Sequence, residues 1–153
     1  MRKATRQLLK YLKKSNPNAF AIVVKPLLFE KAKTNYCFEN AMRFLDEKED
    51  WVLRSGWLIG EYFGENGTAI MPHYWVYNPQ DKTDYDITPF DDAQTFEYVL
   101  DLEIAKTIDE QRKLSVPVSL KLYDDGTLNA RTGANEFLEL TEINYNELYN
   151  LVD

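Results

Sequence analysis

Cysteine and histidine are almost missing from this sequence: each occurs once, as Cys37 and His73. A lone cysteine cannot form an internal disulfide, so the stapled scaffolds of small secreted proteins are excluded. One cysteine and one histidine also fall short of a structural zinc site. No apolar run approaches the ~20 residues that span a bilayer. Residues 1–14 alternate basic and apolar side chains and lack the unbroken apolar core of a secretory leader. A cytoplasmic protein without membrane contact is therefore expected. Gly60, Gly64 and Gly67 are not followed by the Lys-Ser/Thr of a phosphate loop. Nothing matches a full calcium loop, and Asp124-Asp125-Gly126 reads as a turn, leaving the acidic pair Asp91-Asp92 isolated. No metal and no cofactor are expected. Repeats, low-complexity tracts and Pro/Gly/Ser-rich linkers are lacking too, so residues 1–153 read as a single domain.

What is present describes a folded protein of uneven charge. Hydrophobic residues make up 44% of the chain and aromatic residues 14%, enough to build a core. The net charge is -7. Residues 1–36 carry nine Lys/Arg against one acid, Glu30, while the remainder carries the other nine against 24 acids. So acidic a body repels nucleic acid, which is not expected as a partner; a basic protein partner is compatible with it.

Periodicity gives a coarse map. About residues 2–14 form a basic amphipathic helix, with Ala4, Leu8, Tyr11 and Leu12 on one side. Residues 20–24 form one short strand. A second helix starts at an N-cap, Thr34 or Asn35, and runs to about Lys48, with Cys37, Ala41, Phe44 and Leu45 on one stripe. Residues 51–59 read as a strand broken at Ser55-Gly56, and 60–67 as a loop. Residues 73–77 and 83–88 are β-type around a turn at 78–81. A mainly helical stretch covers about 92–113. A hairpin follows over 116–123 and 127–130, then a helix over 141–152 capped by Thr141. The fold class is α+β with an antiparallel sheet.

The 73–88 hairpin carries a sharp expectation. With 78–81 as a four-residue loop, Tyr77 pairs with Lys82, Trp75 with Asp84 and His73 with Asp86. Directly opposite residues share a face, so Asp86 meets the imidazole and can orient it and stabilise its charged form. A loop one residue longer pairs His73 with Ile87 and turns Asp86 to the other face. Cys37 lies in the first turn of its helix, where the helix dipole favours the thiolate. A thiol, an imidazole and an orienting acid are the general recipe for covalent acyl transfer.

The local words are Asn35-Tyr36-Cys37-Phe38-Glu39-Asn40-Ala41, Pro72-His73-Tyr74-Trp75 and Tyr85-Asp86-Ile87-Thr88-Pro89. In this order they resemble the transglutaminase-like superfamily of the papain-like fold, over about residues 34–90. The cysteine word is also similar to that of the arylamine N-acetyltransferases. The resemblance implies a core in which a cysteine at a helix N-terminus packs on an antiparallel sheet. It implies Cys37 as nucleophile, His73 as general base and acid, Asp86 as orienting carboxylate and Trp75 as a wall beside the site. The backbone N–H of Cys37 would serve the oxyanion, with Asn40 or Asn35 as candidate second donor. Lys33-Thr34-Asn35-Tyr36 stands where the acetyltransferases carry a basic-Gly-Gly word.

Each residue also has a plainer reading. A lone cysteine is often a small buried hydrophobe, and a lone histidine often structural. Trp75 reads equally as core. Asp84 shares the face of His73 and competes with Asp86. Thr88 follows Asp86 on that face and can support its carboxylate. Asn40 reads as an exposed polar residue as readily as a functional one, and Glu39 as solvated surface. Taken together, order and spacing favour a cysteine-dependent hydrolase or acyltransferase acting on a peptide, protein or small acyl substrate. The alternative is a non-enzymatic acidic binding or inhibitor protein on the same scaffold, of the kind phages or mobile elements encode.

Overall fold

The computed structural model describes residues 1–61, 66–90, 95–114, 118–131 and 137–151. Helix α1 (Lys3–Leu12) buries Ala4, Thr5, Leu8 and Leu12 and turns its basic residues outward. Its entry is fixed by Glu97, whose carboxylate accepts from Arg2 N–H at 2.8 Å and from Thr5 Oγ1 at 2.6 Å. The expected strand at 20–24 is two strands, β1 (Phe20–Ile22) and β2 (Val24–Pro26), divided at Val23, which is 79% exposed. Helix α2 spans Cys37–Glu47. Neither Thr34 nor Asn35 caps it: the cap position is Tyr36, without a side-chain hydrogen bond, and Asn35 adopts φ 68°.

Strand β3 (Val52–Ile59) runs unbroken through Ser55-Gly56, contrary to the expected interruption. A Cβ at Gly56 would lie 2.0 Å from the Val99 carbonyl oxygen and 2.6 Å from Trp75 Cη2. The glycine is there to admit an indole and a neighbouring strand, not to end β3. Strand β4 (Thr68–Asn78) pairs along all of β3. Strand β5 (Thr83–Asp86) returns from it.

The largest correction concerns residues 92–113. Residues 97–100 are not helical but form β6 (Glu97–Leu100), which lies between β3 and β1. Helix α3 starts only at Ala105 (Ala105–Leu114), after a 3-10 turn at Leu102–Ile104; residues 91–94 lie outside the described residues. Val99 packs into one core and Tyr98 and Leu100 into another, so the segment is buried on both sheet faces, and Tyr and Val suit a strand. Strands β7 (Leu120–Leu122) and β8 (Leu128–Arg131) form the expected second hairpin, with Gly126 at φ 91°; residues 116 and 117 are outside the described set. Strand β9 (Phe137–Leu140) extends it. Helix α4 (Tyr145–Leu151) is capped by Asn144, not Thr141: Asn144 Oδ1 accepts from Asn146 N–H at 3.0 Å.

The sheet order is β1-β6-β3-β4-β7-β8-β9, with β5 joined to both β4 and β2. The pairings are antiparallel except β2 with β5, which is parallel. Because β1 holds β6 while β2 holds β5, the strands β6, β3, β4, β5 and the β1–β2 segment close into a ring. Leu58, Trp75, Tyr98 and Leu100 fill its interior. Its outer face carries α1 and the larger core, including Leu8, Leu12, Trp57, Ile59, Tyr74 and Ile104. Helix α2 covers Val76 and Ile87 with Ala41 and Phe44. Among the described residues, no helix is long and apolar enough to cross a membrane.

Candidate active site

The site forms where β4 loses a neighbour. Strand β4 pairs with β7 over residues 68–70 and with β5 over 76–78. Along that edge, residues 71–75 have no strand partner among the described residues. Buried backbone donors require an acceptor. Cys37, the first residue of α2, supplies one: the Tyr74 backbone N–H hydrogen-bonds its sulfur. Phe38, the next residue, packs edge-on against the Tyr74 ring at 5.1 Å.

Strand alternation sends Tyr74 toward α2 and its neighbours His73 and Trp75 into the ring. His73 is 5% exposed, its imidazole close to Trp75, Phe90 and Tyr98 with ring centroids at 6.4, 5.9 and 6.3 Å. Its Nε2 lies 2.8 Å from Asp86 Oδ2. A hydrogen bond joins His73 to the Cys37 thiol, for which Nδ1 is the remaining ring nitrogen.

The register behind this contact is not the expected one. Val76 pairs with Tyr85, Tyr77 with Asp84 and Asn78 with Thr83. Lys82 is not opposite Tyr77; it sits in the turn at φ 55°, beside Asp81, whose Oδ1 accepts from Thr83 N–H at 3.0 Å. The pairing has slipped by two residues. A slip of one would have turned Asp86 away, but a slip of two keeps every side chain on its face. His73 therefore meets Asp86 diagonally instead of directly. Trp75 likewise reaches Asp84 diagonally, its Nε1 donating to Oδ1 at 2.9 Å. Diagonal neighbours remain within reach of long side chains.

Asp84 is the acid that competed for this role. It is engaged by Trp75 and by Arg54, whose Nε is 3.5 Å away, and burial raises its pKa against the pull of both partners. Asp86 accepts at both oxygens: Thr88 N–H reaches Oδ1 at 3.1 Å, and Oδ2 takes His73 and the Tyr98 hydroxyl. Thr88 Oγ1 in turn accepts from Asn40 Nδ2 at 3.1 Å. Asn40 is buried, not exposed; its amide also brackets Lys33, accepting from its N–H at 2.9 Å and donating to its carbonyl at 2.8 Å. The chain of bonds Asn40–Thr88–Asp86 thus ties the cysteine-bearing helix to the carboxylate. Asn35 lies outside this network: it is exposed, in a left-handed backbone conformation.

Electrostatics follow from these contacts. Burial works to raise the Cys37 pKa, but the charge and hydrogen bond of His73, with the Tyr74 N–H, outweigh it and leave the thiol below its ordinary value. Burial works against the His73 imidazolium, yet the Asp86 carboxylate and the Cys37 thiolate raise it to about 10. The two groups thus support each other's charge: the imidazolium favours the thiolate, and the thiolate and carboxylate favour the imidazolium. Tyr98 was hidden by the helical reading of residues 92–113. The short apolar run Tyr98-Val99-Leu100, bounded by Glu97 and Asp101, is the signal for a strand buried on both faces.

A groove of about 760 Å³ adjoins the carboxylate end of the site. Leu27, Phe29, Phe90 and Phe96 line it, with Asp86 and Tyr98 toward the site. Among the described residues, no group of three or more His, Cys, Asp or Glu could hold a metal ion. No family model matches this chain, nor does any curated protein or solved structure.

Proposed function

We propose that the protein is a cysteine-dependent acyl-transfer enzyme of transglutaminase-like, papain-like design, with hydrolysis as its default outcome. The observation that carries this reading is the continuous hydrogen-bonded line Cys37–His73–Asp86. The cysteine opening α2 on the edge of an antiparallel sheet supports the structural analogy. Cys37 Sγ would attack a carbonyl carbon, with the oxyanion received by backbone N–H at the start of α2. His73 would pass its proton to the leaving group, giving an acyl-enzyme, and then take one from water or an amine as the thioester is cleaved. Asp86 orients the imidazole throughout. Asn40 and Thr88 act through Asp86 and through the loop before α2. Trp75 walls the His73 side.

The apolar groove suits an aliphatic or aromatic part of a peptide or small acyl substrate. A free thiol at the centre suits a reducing compartment such as the cytoplasm. The rival reading, a binding protein for a basic partner, draws on the acidic charge; the poised thiol gives the enzyme reading its advantage.

The test is the pH dependence of Cys37 alkylation by iodoacetamide. Wild type should react well below pH 8, where an ordinary thiol is protonated, and His73→Ala should lose that reactivity. An activated ester should leave a transient acyl adduct on Cys37, seen by mass spectrometry. Identical alkylation profiles and no adduct would overturn the proposal.

A further inference from the structure

The interior of the strand ring holds a residue that the triad does not include. Tyr98 lies on β6 opposite Leu58 of β3, and its ring packs edge-on against Trp75 at 5.4 Å. Its hydroxyl donates to Asp86 Oδ2, the same oxygen that takes His73 Nε2. Thr88 N–H holds the other oxygen at 3.1 Å. The carboxylate is therefore gripped at both ends by groups other than histidine.

We infer that Tyr98 is a positioning residue that sets the basicity of His73 by sharing Asp86 Oδ2 with it. The warrant is the acceptor's finite charge. A hydroxyl donating to a carboxylate oxygen stabilises the anion and leaves less of its field for a second donor on that oxygen. Among the described residues, the groups facing His73 are few. Cys37 comes from α2, Asp86 from β5 and Tyr98 from β6, while β3 presents Gly56, which has no side chain. Phe90 and Trp75 complete the enclosure without charge. Among the described residues, Tyr98 is the hydroxyl that donates to the same Asp86 oxygen as the imidazole, whereas Thr88 holds the other oxygen through its N–H, and Tyr98 acts on the imidazolium through the carboxylate.

The role rests on the proposed function for its meaning in catalysis, but its test is read on the imidazole itself. His73 is the only histidine, so one set of 15N resonances in the labelled protein reports its titration without ambiguity. In Tyr98→Phe, Asp86 Oδ2 is left to the imidazolium alone, and the His73 midpoint should rise by about half a pH unit or more. Incorporating 3-fluorotyrosine at position 98 makes the hydroxyl a stronger donor and should lower the midpoint. Tyr145→Phe, which removes a comparable hydroxyl from another buried aspartate, should leave it in place. An unchanged or lowered midpoint in folded Tyr98→Phe overturns the inference. Should that variant not fold, an unchanged or raised midpoint with fluorotyrosine does the same. Loss of acyl transfer with these shifts intact would count against the function and not against Tyr98.

Discussion

Asp86 and Asp101 are both buried, at 5% and 1% exposure, one ending β5 and the other just past β6. Their surroundings follow one plan. Each accepts from a tyrosine hydroxyl: Tyr98 for Asp86, and Tyr145 at 2.7 Å for Asp101. Each accepts from a backbone N–H two residues on, Thr88 and Glu103, both at 3.1 Å. Each accepts from an aromatic ring nitrogen at 2.8 Å, but that ring is His73 for Asp86 and Trp57 for Asp101. An indole N–H does not titrate, whereas an imidazole does. Asp101 adds Asn16 Nδ2 at 2.8 Å and fastens the residues after α1, β3 and α4 together. Beyond His73 the line continues to a thiol. A satisfied buried carboxylate is thus no mark of chemistry in this molecule; what its ring donor can do next is.

The comparison can be broken at its shared support. Gly56→Ala should have the largest effect, because the new Cβ meets the Val99 carbonyl oxygen at 2.0 Å and pushes Trp75. We expect a loss of about 3 kcal/mol or more, or no folded protein, in urea titration. Near wild-type stability would show that β3 and β6 do not approach as described.

Asp101→Ala should come next in stability. It strands the Trp57 and Tyr145 donors in the interior, with an expected cost of about 2–4 kcal/mol in urea titration. Under conditions where it stays folded, Cys37 alkylation should match wild type within about twofold. A change in alkylation would erase the distinction between latch and site.

Asp86→Ala strands buried donors in the same way, but unlike Asp101→Ala it should also change the thiol. His73 loses the carboxylate that raises its pKa, so less imidazolium supports the thiolate. Alkylation at pH 6 should slow by about tenfold, following the altered ionisation. A rate equal to wild type would remove Asp86 from the proposed site.

The smallest effect is a slope. The folded His73 pKa is raised from 6.5, so its contribution to stability is present below 6.5 and lost as pH rises toward about 10. The folded Cys37 pKa is lowered, so its contribution is present above the unfolded thiol value and lost as pH falls through the folded one. Where these windows overlap, the two terms oppose. Cys37→Ala leaves the Asp86-raised histidine alone, and its stability should decline more steeply than wild type above pH 6.5 in urea titrations at stepped pH. Parallel curves would show that the two groups are not coupled.

Legibility in the sequence tracked locality. The pattern of Ala4, Leu8 and Leu12 gave α1, and Asp124-Asp125-Gly126 gave the β7–β8 turn, because both signals lie within a few residues. Residues 97–100 read as part of the helical stretch around them, because the strands that pair with them, β3 and β1, are distant in sequence. Ser55-Gly56 misled for the same reason: the need for glycine comes from Trp75 and Val99. Asn40 gave no sign of burial, because its partners are Lys33 across a loop and Thr88 on another element.

The sequence by itself determined that a cysteine site, if there is one, consists of Cys37 and His73, because no other thiol or imidazole exists. It put Asp86 on the His73 face only if the register kept its parity, and the slip of two seen in the structure does keep it. Only the tertiary structure decided the register itself, through Lys82 taking a left-handed turn conformation. It alone brought Cys37 to the open edge of β4 and set Tyr98 on Asp86. Parity and composition are local properties of a chain, whereas an unpaired strand edge and a shared acceptor exist only once distant segments have packed.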